Sequence, residues 1–101
     1  MKKNVLLLET IADEAFKLLE EAPNVHILTA YSDKPLNEII AENDIDAVIT
    51  RGKGQVNKQL MAACPNLKVA ARCGVGLDNV DVKEATARNI MVVNADRKSV
   101  V

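Results

Sequence analysis

The sequence predicts an α/β domain, a doubly wound parallel sheet of five strands with helices packed on it. Two observations carry this. Apolar, β-branched runs begin near Val5, Val25, Ala47, Leu67 and Ile90, and a helical pattern fills each gap between them, as in successive βα units. The core available is almost wholly aliphatic: 49% of the residues are hydrophobic, while Phe16 and Tyr31 are the only aromatics. Aliphatic runs suit parallel strands covered on both faces. At 101 residues the chain is read as one domain, 1–101.

The elements follow in order. Val5 to Leu8 is the apolar centre of the first strand. Acids follow it at once in "MKKNVLLLETIADE", so the segment reads as a strand rather than a leader. In "TIADEAFKLLEEA", Thr10 and Asp13 make a capping-box-like start, Ala12, Ala15, Phe16, Leu19 and Ala22 share one helical face, and Pro23 ends it. The second helix, in "DKPLNEIIAEN", takes Pro35 in its first turn and Leu36, Ile39 and Ile40 as its apolar stripe. The third starts at Asn57 and stops before Pro65. The fourth pairs Asp81 with Glu84 as a capping box and turns at Asn89. The segments share no side-chain motif, so the period is the rhythm of βα units and not a solenoid.

Such a sheet is expected in the order 2-1-3-4-5, the flavodoxin-like winding. The fifth strand, "IMVVNA", is followed only by "DRKSVV", so a last helix is expected to be missing. Apolar positions such as Val5, Leu7, Val48 and Val69, or their alternate neighbours, would then lose cover. A symmetric homodimer through that surface is the expected remedy.

Composition narrows the function. The net charge of −1, with both signs interspersed, selects neither nucleic acid nor an anionic membrane. No apolar run approaches the ~20 residues that span a bilayer. Cys64 and Cys73 make neither a disulfide framework nor a metal spacing, which favours reduced thiols and a cytoplasmic location.

Ligands of doubly wound sheets bind outside the carboxyl ends of the strands. All four glycines fall in two loops at that edge: Gly52 and Gly54 in "TRGKGQV", Gly74 and Gly76 in "RCGVGLDNVD". Glycine lets backbone N–H groups approach a ligand closely, and with Arg51 and Lys53 beside them the loops suit a carboxylate or phosphate. Tight turns beside a solvated arginine are the plainer account of the same residues. Gly74-Val75-Gly76 also opens like a dinucleotide fingerprint, and Asp96 lies at the right distance for its acid. However, Asn79 stands at the third glycine, and the helix begins only at Asp81, so these glycines do not lie at its N-terminus. A phospho-accepting Asp after the third strand is absent, since Thr50 and Arg51 stand there. "ETIAD" lacks the Ser, Thr and Gly of a flavin-phosphate loop. His26, the only histidine, lies inside a strand, which leaves no Ser-His-Asp set.

The stretch from Thr50 to Ala95, with "GVGLDNVDV" followed by "ATARNIMVVNA", resembles the N-terminal substrate-binding domain of the D-isomer-specific 2-hydroxyacid dehydrogenases. The resemblance implies NAD-dependent oxidoreduction of a 2-hydroxy acid in the parent enzyme. The family's third-strand loop typically runs Arg-Ser-x-Thr-x-Val. Arg51 and Val56 match it, and Gly52 and Gly54 replace its two hydroxyl residues. By position Arg51 inherits a substrate-binding role, with Gly52, Lys53 and Gly54 beside it. Gly74, Val75 and Gly76 inherit the cradle for the substrate carboxylate, and Asn79 helps to fix that loop. The family's cofactor fingerprint and its catalytic Arg, Glu and His belong to a second domain that this sequence lacks. No cofactor, metal or catalytic residue is therefore assigned to the chain itself. It reads as a substrate domain separated from its enzyme, departing from the family pattern at Asp96–Val101. The alternative is a non-catalytic flavodoxin-like module whose output is folding or assembly.

Overall fold

The computed structural model describes residues 3–11, 13–31, 33–51, 54–72 and 79–94. Five strands alternate with four helices: β1 (Lys3–Leu7), α1 (Asp13–Glu21), β2 (Val25–Thr29), α2 (Leu36–Glu42), β3 (Ala47–Thr50), α3 (Lys58–Ala63), β4 (Val69–Arg72), α4 (Val82–Ala87) and β5 (Met91–Asn94). The sheet runs β2-β1-β3-β4-β5 with every pair parallel, as the spacing predicts.

Connectivity decides what lies on each face. Crossovers between parallel strands are right-handed. The step from β1 to β2 runs one way along the sheet, and the steps through β3, β4 and β5 run the other. One handedness therefore sends α1 to one face and α2, α3 and α4 to the other. The three-helix face holds a continuous core of Leu6, Val48 and Ala70 from the strands, Ile39, Leu60, Met61 and Ala85 from the helices, and Ile45, Leu67 and Ile90 from the strand approaches. On the opposite face Val5, Leu7 and Ile11 are buried, with Ala15, Phe16 and Leu19 of α1 packed partly over them.

This corrects the expected uncovered positions. Val48 is 0% exposed on the three-helix face, and Val5 and Leu7 are buried beneath α1. The strip with less cover is Val69 with its register neighbours Ala47 and Met91, and Ala71 with Ile49 and Val93. Met91 is 63% exposed. Side chains of paired residues in parallel strands share a face, so this strip follows from register alone.

Local signals set the helix ends. Asn57 Oδ1 accepts from Leu60 N at 2.9 Å, and Asp81 Oδ1 accepts from Glu84 N at 3.0 Å. The second half of the expected capping box does not form. Glu84 pairs instead with Arg88 Nε one turn on, at 2.6 Å. Pro35 sits at the N-cap, one residue before its expected place, with extended backbone geometry. Asn89 takes a left-handed φ of 60° and turns the chain into β5, a conformation Asn tolerates better than most residues. At the amino end of α1, Ala12 lies outside the described residues. His26, on the edge strand β2, lies 3.1 Å from Asn4 Oδ1 through Nδ1, as an edge histidine should.

Candidate functional site

The carboxyl ends of β1, β3 and β4 converge as the strand order requires, and a polar network joins their loops. Its lowest member is Thr50, the last residue of β3 and fully buried. Thr50 Oγ1 lies 2.8 Å from both Glu9 Oε2 and Gly54 O, and these two share its one proton. It accepts from Asn79 Nδ2 at 3.0 Å. The same Asn79 amide donates to Gly54 O at 2.6 Å, while Asn79 Oδ1 accepts from Arg72 Nε at 2.8 Å. Asn79 is 5% exposed, so both ends of its carboxamide are used inside the protein. A buried polar network satisfied at this density rigidifies the segments it joins.

Glu9 closes the network from β1. Its Oε2 accepts from Arg51 N and Gly54 N, each at 2.8 Å, as well as from Thr50. Below this, Val56 and Val80 pair as an isolated parallel bridge. Val56 N donates to Asn79 O and Asp81 N to Val56 O, both at 2.9 Å. Val56 is fully buried, so the two loops share a dry floor.

Gly54 is dictated by space. A Cβ on it would lie 2.7 Å from Leu8 Cβ and 2.8 Å from Thr50 Oγ1, distances real Cβ atoms do not show. Its main contact is therefore with the protein, through a close approach only glycine permits.

Of the sequence-derived candidates, Arg51, Gly54 and Asn79 come together at this edge. Arg51 is exposed, with its backbone N–H turned inward to Glu9. Gly52, Lys53, Gly74, Val75 and Gly76 lie outside the described residues, as do Cys73 and Asp96–Val101. Two residues of the network are not assigned to the site by the sequence reading. Glu9 is an acid directly after an apolar strand, at the edge where the glycine loops meet, and that was the available signal. Arg72 ends β4 in register with Thr50, and only the register reveals it.

Beside the edge, a groove of about 550 Å³ opens between α2 and α3, lined by Leu36, Ile40 and Leu60 with the carboxamides of Asn37, Gln55 and Gln59. Cys64 is a free thiol packed in the three-helix core, and burial raises its pKa. Among the described residues no group of acids, histidines or cysteines has a metal-site arrangement, and no helix is long and apolar enough to cross a membrane.

The fit to a dinucleotide is poor on this geometry. A pyrophosphate seeks the free N–H groups at a helix N-terminus. In α4 the Asp81 carboxylate takes that place itself, accepting from Glu84 N and adding a like charge where the phosphates would sit.

The whole chain can be compared with known proteins. Residues 5–100 match the family described as D-isomer specific 2-hydroxyacid dehydrogenase, catalytic domain. A D-3-phosphoglycerate dehydrogenase from Methanocaldococcus jannaschii is 36% identical over 91 residues, which is 90% of this chain and 17% of that protein. A glyoxylate reductase from Pyrococcus furiosus is 30% identical over 95 residues, 93% of this chain and 28% of that protein. Among solved structures, the NAD+-bound 3-phosphoglycerate dehydrogenase of Entamoeba histolytica superposes with a TM-score of 0.71 at 26% identity, covering 93% of this chain and 33% of that one. The chain thus spans under a third of the length of the curated relatives it matches. The five-stranded order and a match over nearly every residue agree: the chain belongs to the D-isomer-specific 2-hydroxyacid dehydrogenase family.

Proposed function

We propose that this chain is a substrate-recognition domain, residues 1–101, of a dehydrogenase that passes a hydride between NAD and a small 2-hydroxy acid. The preferred subtype is D-3-phosphoglycerate dehydrogenase, the first enzyme of serine biosynthesis. The observation that carries it is Arg51, an exposed cation on a turn that Glu9 and Asn79 tie down at the ligand edge of the sheet. A guanidinium on a rigid turn suits a carboxylate or phosphate. Lys53 and the Gly52 and Gly74-Val75-Gly76 segments complete the anion site in this reading. NAD is taken up by a separate domain, since α4 opens on the Asp81 carboxylate. The chain alone reduces no 2-oxo acid, because hydride transfer needs cofactor and substrate held in register.

Its affinity for small anions is on the order of millimolar, because one guanidinium works at an edge open to water. NMR titration with 3-phosphoglycerate should shift the amides of Arg51 and Asn79, and Arg51→Ala should remove the response. Glyoxylate as competing ligand separates the two subtypes: a stronger response to glyoxylate favours the reductase. Shifts confined to the amino edge of the sheet refute the site, and micromolar NAD affinity by calorimetry refutes the division of labour. The reading includes a cytoplasmic location, in keeping with cysteines that lack a disulfide framework. It also includes a homodimer through the strip of Ile49, Val69 and Met91, which sedimentation equilibrium at tens of micromolar protein tests.

A further inference from the structure

Glu9 occupies a position that no substrate reading needs, and its contacts are more specific than a surface acid requires. One oxygen, Oε2, receives the Thr50 hydroxyl and the N–H groups of Arg51 and Gly54, all at 2.8 Å. These donors belong to Thr50, Arg51 and Gly54, within five residues of the chain. A turn whose N–H groups converge on one point is a concavity for an anion. Here the protein supplies the anion from the segment that follows β1. Bonds to an ionised acceptor are about twice as strong as neutral ones. The turn also has little room on its other side, where a Cβ on Gly54 would lie 2.7 Å from Leu8 Cβ and 2.8 Å from Thr50 Oγ1. Asn79 then transmits the position of the turn to the β4 loop through Gly54 O and Thr50 Oγ1.

From this geometry we infer that Glu9 is the positioning residue of the Arg51 turn, an internal carboxylate that fixes where Arg51 leaves the sheet edge and couples that turn to the β4 loop. Two consequences follow. The N–H groups of Arg51 and Gly54 are committed to Glu9, so an incoming carboxylate or phosphate meets the Arg51 guanidinium and not these amides. Glu9 also acts without touching the ligand, through the residues it holds.

The inference rests on the substrate-domain reading for its ligand arm alone, and its first test needs no ligand. In nitrogen-15 NMR of the 101-residue chain, amide exchange is compared for Arg51 and Gly54 against Ile39 in α2. The wild type should protect both turn amides. Glu9→Gln keeps an acceptor without the charge and should speed their exchange while Ile39 is unchanged. Glu9→Ala should speed it further, and formate should restore protection where chloride at equal ionic strength does not. In the ligand arm, Glu9→Gln should weaken 3-phosphoglycerate binding by about fivefold or more. Leu19→Ala, a destabilised control remote from the edge, should leave it unchanged.

Turn amides that exchange freely in the wild type, or that are unaltered in a folded Glu9→Gln, overturn the inference. So does full 3-phosphoglycerate affinity in a Glu9 variant whose turn is loosened. If the wild type itself does not respond to 3-phosphoglycerate, the substrate reading fails, and the exchange data alone decide the role of Glu9. Should Glu9→Ala not fold, Glu9→Gln and the wild-type exchange rates carry the decision.

Discussion

The two faces of the sheet are built from the same strands and are packed very differently. On one, α2, α3 and α4 close over Leu6, Val48 and Ala70, each 0% exposed. On the other, among the described helices α1 alone packs over Val5 and Leu7, and Met91 at the far edge stands 63% exposed. α1 itself has no fully buried residue, and Leu18 on it is 70% exposed. The strands alternate apolar residues to both sides, so strand composition does not explain the contrast. The winding does. A sheet that grows from an inner strand sends one early crossover to one face and all later ones to the other. Burial is thus a property of connectivity, and the two faces should differ in every measurement that reads burial.

The largest contrast is expected from truncation. Leu6→Ala removes a fully buried side chain from the three-helix core and should cost about 3 kcal/mol in urea unfolding. Val69→Ala, two strands away on the open face, should cost less than about 1 kcal/mol. Equal costs would mean that the open face is covered after all. A cost for Val69→Ala that grows with protein concentration would identify the cover as a second copy.

A smaller loss is expected at the ligand edge, where the tight packing of the three-helix side extends into a loop. Gly54→Ala drives a methyl to 2.7 Å from Leu8 Cβ and 2.8 Å from Thr50 Oγ1 and should cost about 2 kcal/mol. Backbone as well as side chain must shift, so the amides of Asn79 and Arg51 should move together. Their moving independently would argue that the network does not couple the loops.

Next comes the helix cap. Asp81→Ala removes the acceptor for Glu84 N and should cost about 1 kcal/mol, with Asp81→Asn recovering most of it. Equilibrium unfolding of the two variants side by side checks this.

The smallest effect is a pH dependence that belongs to the three-helix core. Burial raises the pKa of the Cys64 thiol above its ordinary value, so the folded state holds this proton more tightly than the unfolded chain does. The sign follows from linkage: this contribution is fully present below the unfolded pKa and is lost as pH rises through the folded one. Stability should therefore fall more steeply above about pH 9 in the wild type than in Cys64→Ala. Identical slopes would show that the thiol is hydrated.

Much of this was legible from residue order. Capping signals placed Asn57 and Asp81, and Asn89 marked the turn into β5, because those are local bargains between a side chain and nearby backbone. Glycines and Arg51 pointed to the carboxyl edge. Glu9 and Arg72 were not legible in the same way. The partners of Glu9 lie more than forty residues off, and that of Arg72 is Asn79, across the loop that leaves β4, and no helix or strand period marks either bond. Gly54 was read as a ligand cradle from its loop, while the clash with Leu8 that demands a glycine exists only once β1 and β3 lie side by side.

By itself the sequence determined the five strands, the four helices, the aliphatic core and the edge at which a ligand would be met. These depend on periodicity and on backbone preferences that act within a few residues. Only the tertiary structure decided which alternate residues of each strand face three helices and which face one, because a shift of one residue in register exchanges the two sets. It alone decided that the donors of the Arg51 turn face an internal carboxylate, since that bond needs two strands, distant in the chain, to end at the same height.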